Sequence, residues 1–370
     1  MSTPPRSDQQ LRHIYNVVQE TGSYSKAAII LNLARQTVQD AMREAMGRLG
    51  LPDPRATVID KPGFTAFQGP SKERPLAELL EHRRNEANRS IEADEFTKLF
   101  RIAIKASGPV GLMVFGDPHI DNPGCDFPLL EAHLKIASDR KTHILAGNIG
   151  DLRDNWIGRL ERLYAQTTVT ARETWKLVEW MMKGAGVHWA WLVRGNHDAW
   201  AGHNDPLDWI AKGAGVGIDQ SAGVRIAFTH PNGAETRVNA RHDFPGNSIY
   251  NPVHGLKREI LHGFRDHVTV AGHRHIGADA GDVNGDGNSI QMIRVSGYKV
   301  ADSFRHEMGF KAKPIHPAAL IVVDPDLPDT SRGRAWCAPT VEEGAEYLDW
   351  KRERFNARPR QKSIKTKANK

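Results

Sequence analysis

A chain of 370 residues with 39% hydrophobic and 25% charged content has the length for one sizeable core and a smaller module, about two domains. Two cysteines, Cys125 and Cys337, stand far apart, which excludes a disulfide framework or a cysteine zinc site and suits a reducing cytosol. The formal charge of +6 is uneven: Lys351 to Lys370 hold nine Lys or Arg against one Glu, so this stretch carries +8 and the rest −2. Residues 346–370 are therefore expected to form a basic, disordered tail able to meet polyanions. The first residues lack the apolar core of a signal peptide, and no run approaches the roughly 20 apolar residues of a membrane span. A cytoplasmic protein without membrane association is the expectation.

In chain order, the first periodic stretch is Asp8 to Thr21, where Leu11, Ile14, Tyr15 and Val18 share one helical face before Gly22 stops it. A second short helix starts with Ser25 as a candidate N-cap and ends before Asn32, which tolerates a left-handed turn. The third runs from Ala34 through Arg48, with Val38, Ala41 and Met42 inward and Arg35, Gln36, Gln39 and Arg43 outward. Residues 1–50 thus resemble a helix-turn-helix module, whose last helix would carry Arg35, Gln36, Gln39 and Arg43 to the bases and phosphates of DNA. One departure is Ala34, where a small hydroxyl residue usually caps the reading helix. The pattern also suits a three-helix module that binds protein or dimerises, so a homo-oligomer stays open.

Residues 51–107 read as linker and connector helices. Pro52, Pro54, Pro62 and Gly63 break any apolar period, a charged helical stretch follows from Leu76, and Phe96 to Ile104 resumes an apolar pattern. The large domain is expected to occupy 108–345.

Within it, four apolar runs of strand length each lead to a polar motif. They are Gly116-Asp117-Pro118-His119, Gly150-Asp151-Leu152-Arg153-Asp154, Gly195-Asn196-His197-Asp198 and Gly272-His273-Arg274-His275. Carboxylate and amide oxygens mixed with imidazole nitrogens suit first-row divalent metals rather than calcium. Residues two apart at a strand end point the same way, so Asp117 with His119, and His273 with His275, can converge. The second motif has two registers, placing either Asn148 or Asp151 in the key position; a carboxylate can bridge two cations, which favours Asp151, with Asn148 the rival. Asn196 offers a neutral oxygen, and His197 beside it is placed to exchange a proton. Apolar residues at helical spacing between Trp156 and Met182 read as core. The Gly- and Asp-rich stretch 278–288 lacks the terminal Glu of a calcium loop and reads as a hairpin turn.

From Val110 to Val323 these motifs resemble the calcineurin-like metallophosphoesterase superfamily. With the first module and the run Arg241 to Asn251, the whole chain is similar to phosphoesterases encoded by phages and prophages. The resemblance implies an α/β fold, a four-layer αββα metallophosphoesterase sandwich, beside the small all-α helix-turn-helix domain. It implies one divalent ion on Asp117, His119, Asp151 and His275, and a second on Asp151, Asn196, His273 and a further histidine. His197 would be the general acid, paired with Asp198 or Asp154. His230, His242 and His254 compete for the open place. Thr236, Val238 and Ala240 alternate along a plausible strand that His242 continues, whereas Asn251-Pro252 ahead of His254 argues against a strand there. Manganese is the foremost metal, with iron, zinc and nickel alternatives.

Asn155-Trp156 and Asn196-His197-Asp198 depart from the protein-phosphatase pattern and resemble the DNA-repair nucleases and small phosphodiesterases of the superfamily. The expected function is a dinuclear phosphodiesterase acting on nucleic acid and brought to DNA by the first module. The alternatives are a DNA-binding regulatory or scaffold protein with a slow metal site, and a hydrolase of small nucleotides or phosphomonoesters. Arg153, Trp156, Arg159, Arg241 and Tyr250 lie near motifs and are candidates for either substrate contact or structure.

Overall fold

The computed structural model describes residues 6–68, 73–199, 205–283, 287–299 and 316–358, and the chain divides into two units, Met1–Ile91 and Glu92–Lys370. The first unit begins with α1 (Asp8–Thr21), α2 (Tyr24–Leu31) and α3 (Arg35–Leu49). Ser7 and Gln10 form a reciprocal capping box on α1, and Gly22 closes it in the left-handed conformation. Ser23 caps α2, two positions before the expected Ser25, and Asn32 ends it at φ 51°. Ala34 opens α3 without a side-chain cap. Leu11, Val18, Ala27, Val38, Ala41 and Met42 are fully buried between the three helices. The span read as linker is partly ordered: β1 (Thr57–Lys61) and β2 (Phe64–Gln68) pair antiparallel, ahead of α4 (Leu76–Thr97).

The second unit has β3 (Phe100–Ala103), β4 (Val110–Phe115), α5 (Phe127–Asp139), β5 (Ile144–Asn148), α6 (Ala171–Glu179), β6 (Trp189–Arg194), α7 (Asn196–Ala199) and α8 (Pro206–Gly213). There follow β7 (Ile218–Ser221), β8 (Gly223–Thr229), β9 (Glu235–Arg241), α9 (His254–His262), β10 (Val268–Ala271), β11 (Ala278–Val283), β12 (Ser289–Arg294), β13 (Ala318–Val323), β14 (Ala335–Cys337) and a last helix, Val341–Asn356. One six-stranded sheet has the order β14-β13-β4-β5-β6-β7 and the other β11-β12-β10-β9-β8-β3.

The layers follow from which residues are apolar on which face. Val110, Leu112 and Val114 of β4 alternate toward a core shared with Ile226, Phe228, Val268 and Val270 of the other sheet. Met113 and Phe115 point the other way, onto Leu130 and Leu134 of α5, Ile210 of α8 and Leu348 of the last helix. On the outer face of the second sheet, Leu256 and Ile260 of α9 cover Ala271 and Met292. The result is the four-layer αββα sandwich of an α/β fold.

Two boundaries and one internal segment differ from the sequence reading. The sheet begins before residue 108, because β3 pairs in parallel with β8; a four-residue strand has too short a period to be told from helix. The last helix runs on to Asn356, inside the span 346–370 assigned to a disordered tail, because Val341, Ala345 and Leu348 bury an apolar stripe. Residues 359–370 of that tail lie outside the described residues. Between Trp156 and Met182 the chain forms a 3-10 turn, Gly158–Gln166, before α6. β11 and β12 form the expected hairpin, while 284–286 at its turn lie outside the described residues. Both cysteines are free thiols. Among the described residues no helix is long and apolar enough to cross a membrane.

Candidate metal centre

β4, β5 and β6 run parallel in one sheet, and β9 and β10 run parallel in the other. Parallel strands end at one edge, so each sheet gathers its motif loops there. The loops continue the pairing of their strands: His119 and Ile120 donate backbone N–H groups to Asp151 and Leu152 carbonyls at 3.1 and 3.0 Å. The glycine ahead of each aspartate or asparagine reflects this crowding. A Cβ on Gly195 would stand 2.1 Å from Asp151 Oδ1, and one on Gly150, at φ 114°, would stand 2.4 Å from the Gly195 nitrogen.

Two groups of candidate ligands result, Asp117 with His119 and His275, and Asp151 with His242 and His273, the ligand atoms of each lying within 4.8 Å of one another. His242 Nδ1 sits 2.8 Å from the Ile149 carbonyl, which makes it the donor and turns Nε2 inward. That Nε2 lies 2.9 Å from Asn196 Oδ1, 2.9 Å from His273 Nδ1 and 3.3 Å from Asp151 Oδ2. In the other group His275 Nε2 is 3.4 Å from Asp117 Oδ2, which also accepts the His273 N–H at 2.9 Å. His119 Nδ1 is 2.8 Å from Asp154 Oδ1. Among the described residues, four of the seven non-glycine residues at positive φ are His119, Asp151, His273 and His275, so backbone strain concentrates where the candidate ligands stand.

The chemistry of these donors fits divalent cations. Asp117 Oδ1 and His119 Nε2 are buried without hydrogen-bond partners, a costly state that a bound cation removes. The field has the matching sign. Burial, reinforced by Asp151, pushes the Asp117 carboxyl up to about 7. Burial opposes charge on His242 as well, yet its hydrogen bond to Asp151 and the charges of Asp117 and Asp151 outweigh burial and carry it to about 10. Asp151 is itself held well below the usual carboxylate range, since His242, His119 and His197 together overcome its burial. A pocket that keeps a buried imidazole protonated at neutral pH attracts positive charge.

Placement separates the choices that the sequence left open among candidate ligands. Asn148 ends β5 with its amide donating to the Phe115 and Gly116 carbonyls at 3.4 and 3.2 Å, whereas Asp151 stands in a candidate ligand group with His242 and His273 and its charge also acts on Asp117 and His119. His230 hydrogen-bonds Thr236 Oγ1 at 2.9 Å, and His254 is the exposed first residue of α9. Of the three, His242 is the one that joins the cluster.

The partners expected for His197 need correction. Asp198 does not face its ring; its carboxylate accepts N–H groups from Gly195 at 3.0 Å and Leu152 at 3.2 Å, tying two motif loops together. Asp154 meets His197 Nδ1 through its backbone carbonyl, while its carboxylate serves His119 and Asn122. A tight loop turns the carboxylates away, a geometry that spacing does not reveal. Burial pushes His197 down to about 4, although Asp151 pulls the other way.

Several supporting residues escaped the sequence reading. Asp121 accepts the Asp154 N–H at 2.8 Å, Asn122 donates to Asp154 Oδ2 at 2.6 Å, and Asn155 donates to the His197 carbonyl at 2.7 Å. The proximity of Asp121 and Asn122 to His119 in sequence was the sole signal. Of the other candidates, Arg153 is buried with its guanidinium 4.3 Å above the Trp175 ring, a structural role, and Trp156 packs edge-on against His197 at 5.0 Å. In the first unit Arg35, Gln36 and Arg43 are exposed on α3 and Gln39 is half-buried. Asp40 stands among them, 3.1 Å from Gln36 and 3.3 Å from Arg43.

No family profile and no curated protein matches the sequence. Among solved structures, similarity is found to the calcineurin-like phosphoesterase YfkN from Bacillus subtilis, with 12% identity, a TM-score of 0.36, and coverage of 66% of this chain and 100% of that one. A hypothetical protein from Thermus thermophilus is similar at 13% identity and a TM-score of 0.32, over 62% of this chain and 100% of the other.

Proposed function

We propose that this protein is a dinuclear metal-dependent phosphodiesterase acting on nucleic acid, with α3 as its DNA-facing helix. The observation that carries the enzymatic reading is the pair of abutting carboxylate–histidine groups, joined where the His273 N–H meets Asp117 Oδ2, with Asp117 Oδ1 and His119 Nε2 unpartnered. Asp117, His119, Asp151 and His275 would hold one divalent ion and Asp151, Asn196, His242 and His273 the other, manganese foremost. Two such ions supply polarisation of a phosphoryl oxygen and a lowered pKa for an attacking water.

The protein's own part is positional. Asp154 fixes the His119 ring, Ile149 fixes His242, and Asp198 braces the loops of Asp151 and Asn196. His197, with Nδ1 turned to the Asp154 carbonyl, directs Nε2 toward the Asp151 side, 3.9 Å from Oδ2. With its pKa near 4 it is neutral at pH 7, so protonating a leaving alkoxide requires the phosphate's negative charge to raise it.

The test is hydrolysis of bis-p-nitrophenyl phosphate in manganese, expected to exceed that of the mono-ester. Asp151→Asn should lose both bound metal and turnover. His197→Ala should keep its metal and lose about 100-fold or more in kcat. No turnover with any divalent metal sinks the enzymatic reading, and loss of metal in His197→Ala sinks the acid assignment.

A further inference from the structure

The segment Asp243–Pro252 connects β9 to α9 and is anchored to the candidate metal centre along its length. Asp243 follows His242 directly, and Arg274 lies between His273 and His275. Arg274 donates to Asp243 Oδ2 from Nε at 3.1 Å and Nη2 at 2.9 Å, and donates also to Asn247 Oδ1. Arg294, whose side chain is 1% exposed, donates to Asp243 Oδ1 at 3.0 Å, the Gly272 carbonyl at 2.7 Å and the Pro252 carbonyl at 2.8 Å. The loop is thus held at its start, middle and end by Arg274, from the loop that presents His273 and His275, and by Arg294, at the end of the adjoining β12.

Between this loop and His273 opens a cleft of about 490 Å³, lined by Asn247, Ser248, Ile249 and Asn251 on one side and His273 and Arg274 on the other. Among the described residues, the carboxylates and guanidiniums that line it are Asp243, Arg274 and Arg294, a local balance of +1. Arg294 Nη2 is buried and lacks a hydrogen-bond partner. At the loop tip Ile249 is 85% and Tyr250 91% exposed, the highest values among the large hydrophobic residues described. The turn satisfies its own backbone, with Ser248 Oγ accepting from Tyr250 and Asn251 N–H groups at 3.3 and 3.2 Å. Two apolar side chains are therefore presented to solvent by a braced turn, beside amides and a positive cleft.

From this juxtaposition we infer that the cleft is the subsite for the phosphate and sugar of one unpaired nucleotide of the substrate, whose base passes over Ile249 and out of the cleft to stack on the exposed ring of Tyr250, which stands at the loop tip outside the lining. This rests on the phosphodiesterase reading above. An aromatic face for the base, amide side chains for its edges and arginine for the phosphate are the groups that recognise unstacked nucleotides. The volume lies within the roughly 300–1,000 Å³ usual for small ligands and suits a single nucleotide rather than a duplex. The phosphate end lies toward His273, and the base lies outward along the loop.

Calorimetric titration of the full chain with manganese present tests this, using thymidine 5′-monophosphate and methyl phosphate as probes. The nucleotide should bind about tenfold more tightly, a difference that Tyr250→Ala abolishes and Tyr250→Phe keeps. In turnover, the ratio of kcat/KM for thymidine 5′-(p-nitrophenyl phosphate) to that for bis-p-nitrophenyl phosphate should fall about tenfold in Tyr250→Ala. Tyr250 is exposed, so an unchanged thermal transition is expected and serves as the folding control. Equal affinity for the two probes, or a difference that survives Tyr250→Ala, overturns the subsite while leaving the metal centre standing. Failure to bind either probe together with no hydrolysis of bis-p-nitrophenyl phosphate removes the metal-centre reading, and the subsite with it.

Discussion

His230 and His242 flank the same strand, β9, and the two illustrate how much a residue's place decides. The seven residues of β9, at about 3.3 Å each, put roughly 23 Å between the two ends of the strand, so only the histidine at one end can reach the motif loops. Alternation along β9 selects His242 from sequence, and the same alternation says nothing of what His230 does instead. It is 3% exposed beside Thr236, and burial pushes its pKa down to about 4, with Arg334 and His267 acting in the same direction. The folded state therefore keeps this ring neutral while the unfolded chain takes a proton below about 6.5. Stability from this group is full above that pH and declines as pH falls toward 4, by about 2 kcal/mol at pH 5. Urea unfolding of wild type and His230→Asn at pH 7 and pH 5 should show the wild type losing more stability by that amount; equal losses would refute the assignment. Asp198 teaches the opposite lesson, since its adjacency to His197 in sequence suggested a catalytic pair and the loop instead gave it two backbone N–H groups.

Elements with a full period were legible, and short or strained ones were not. The bounds Asp8–Thr21 of α1 and the strands β4, β6, β9 and β10 follow from apolar spacing and their stop residues. β3, β1 and β2 did not, because four or five residues carry no decisive period unless, as at four-residue β10, a polar motif marks the strand's end, and their identity comes from a partner strand. The missing cap on α3 was visible as Ala34, and the helix forms without it because Val38, Ala41 and Met42 are packed. Restoring the cap should stabilise this helix: Ala34→Ser is expected to add about 1 kcal/mol, read as roughly fivefold slower hydrogen exchange of α3 amides in the full chain. No change would mean that the helix start is set wholly by packing.

For the whole molecule, the uneven charge and the exposed Arg35 and Arg43 support the proposed contact with DNA. If α3 faces DNA, log affinity should fall linearly with log salt, and Arg35→Ala with Arg43→Ala in the full chain should lessen that slope by about 2, one for each phosphate that the variant leaves unneutralised. A slope unchanged in the double variant would place the DNA-facing surface elsewhere. The sequence by itself determined the ligand chemistry, the order of the four motifs, the helical first module and the principal strands, because each depends on residue type and spacing within one element. Only the tertiary structure decided which atoms brace His119 and His197, where the large domain begins, and that the loop carrying Tyr250 lies beside His273. Those outcomes depend on strands and loops distant in sequence meeting at one edge, and pairings of that kind are set by the packing of two sheets rather than by any local pattern.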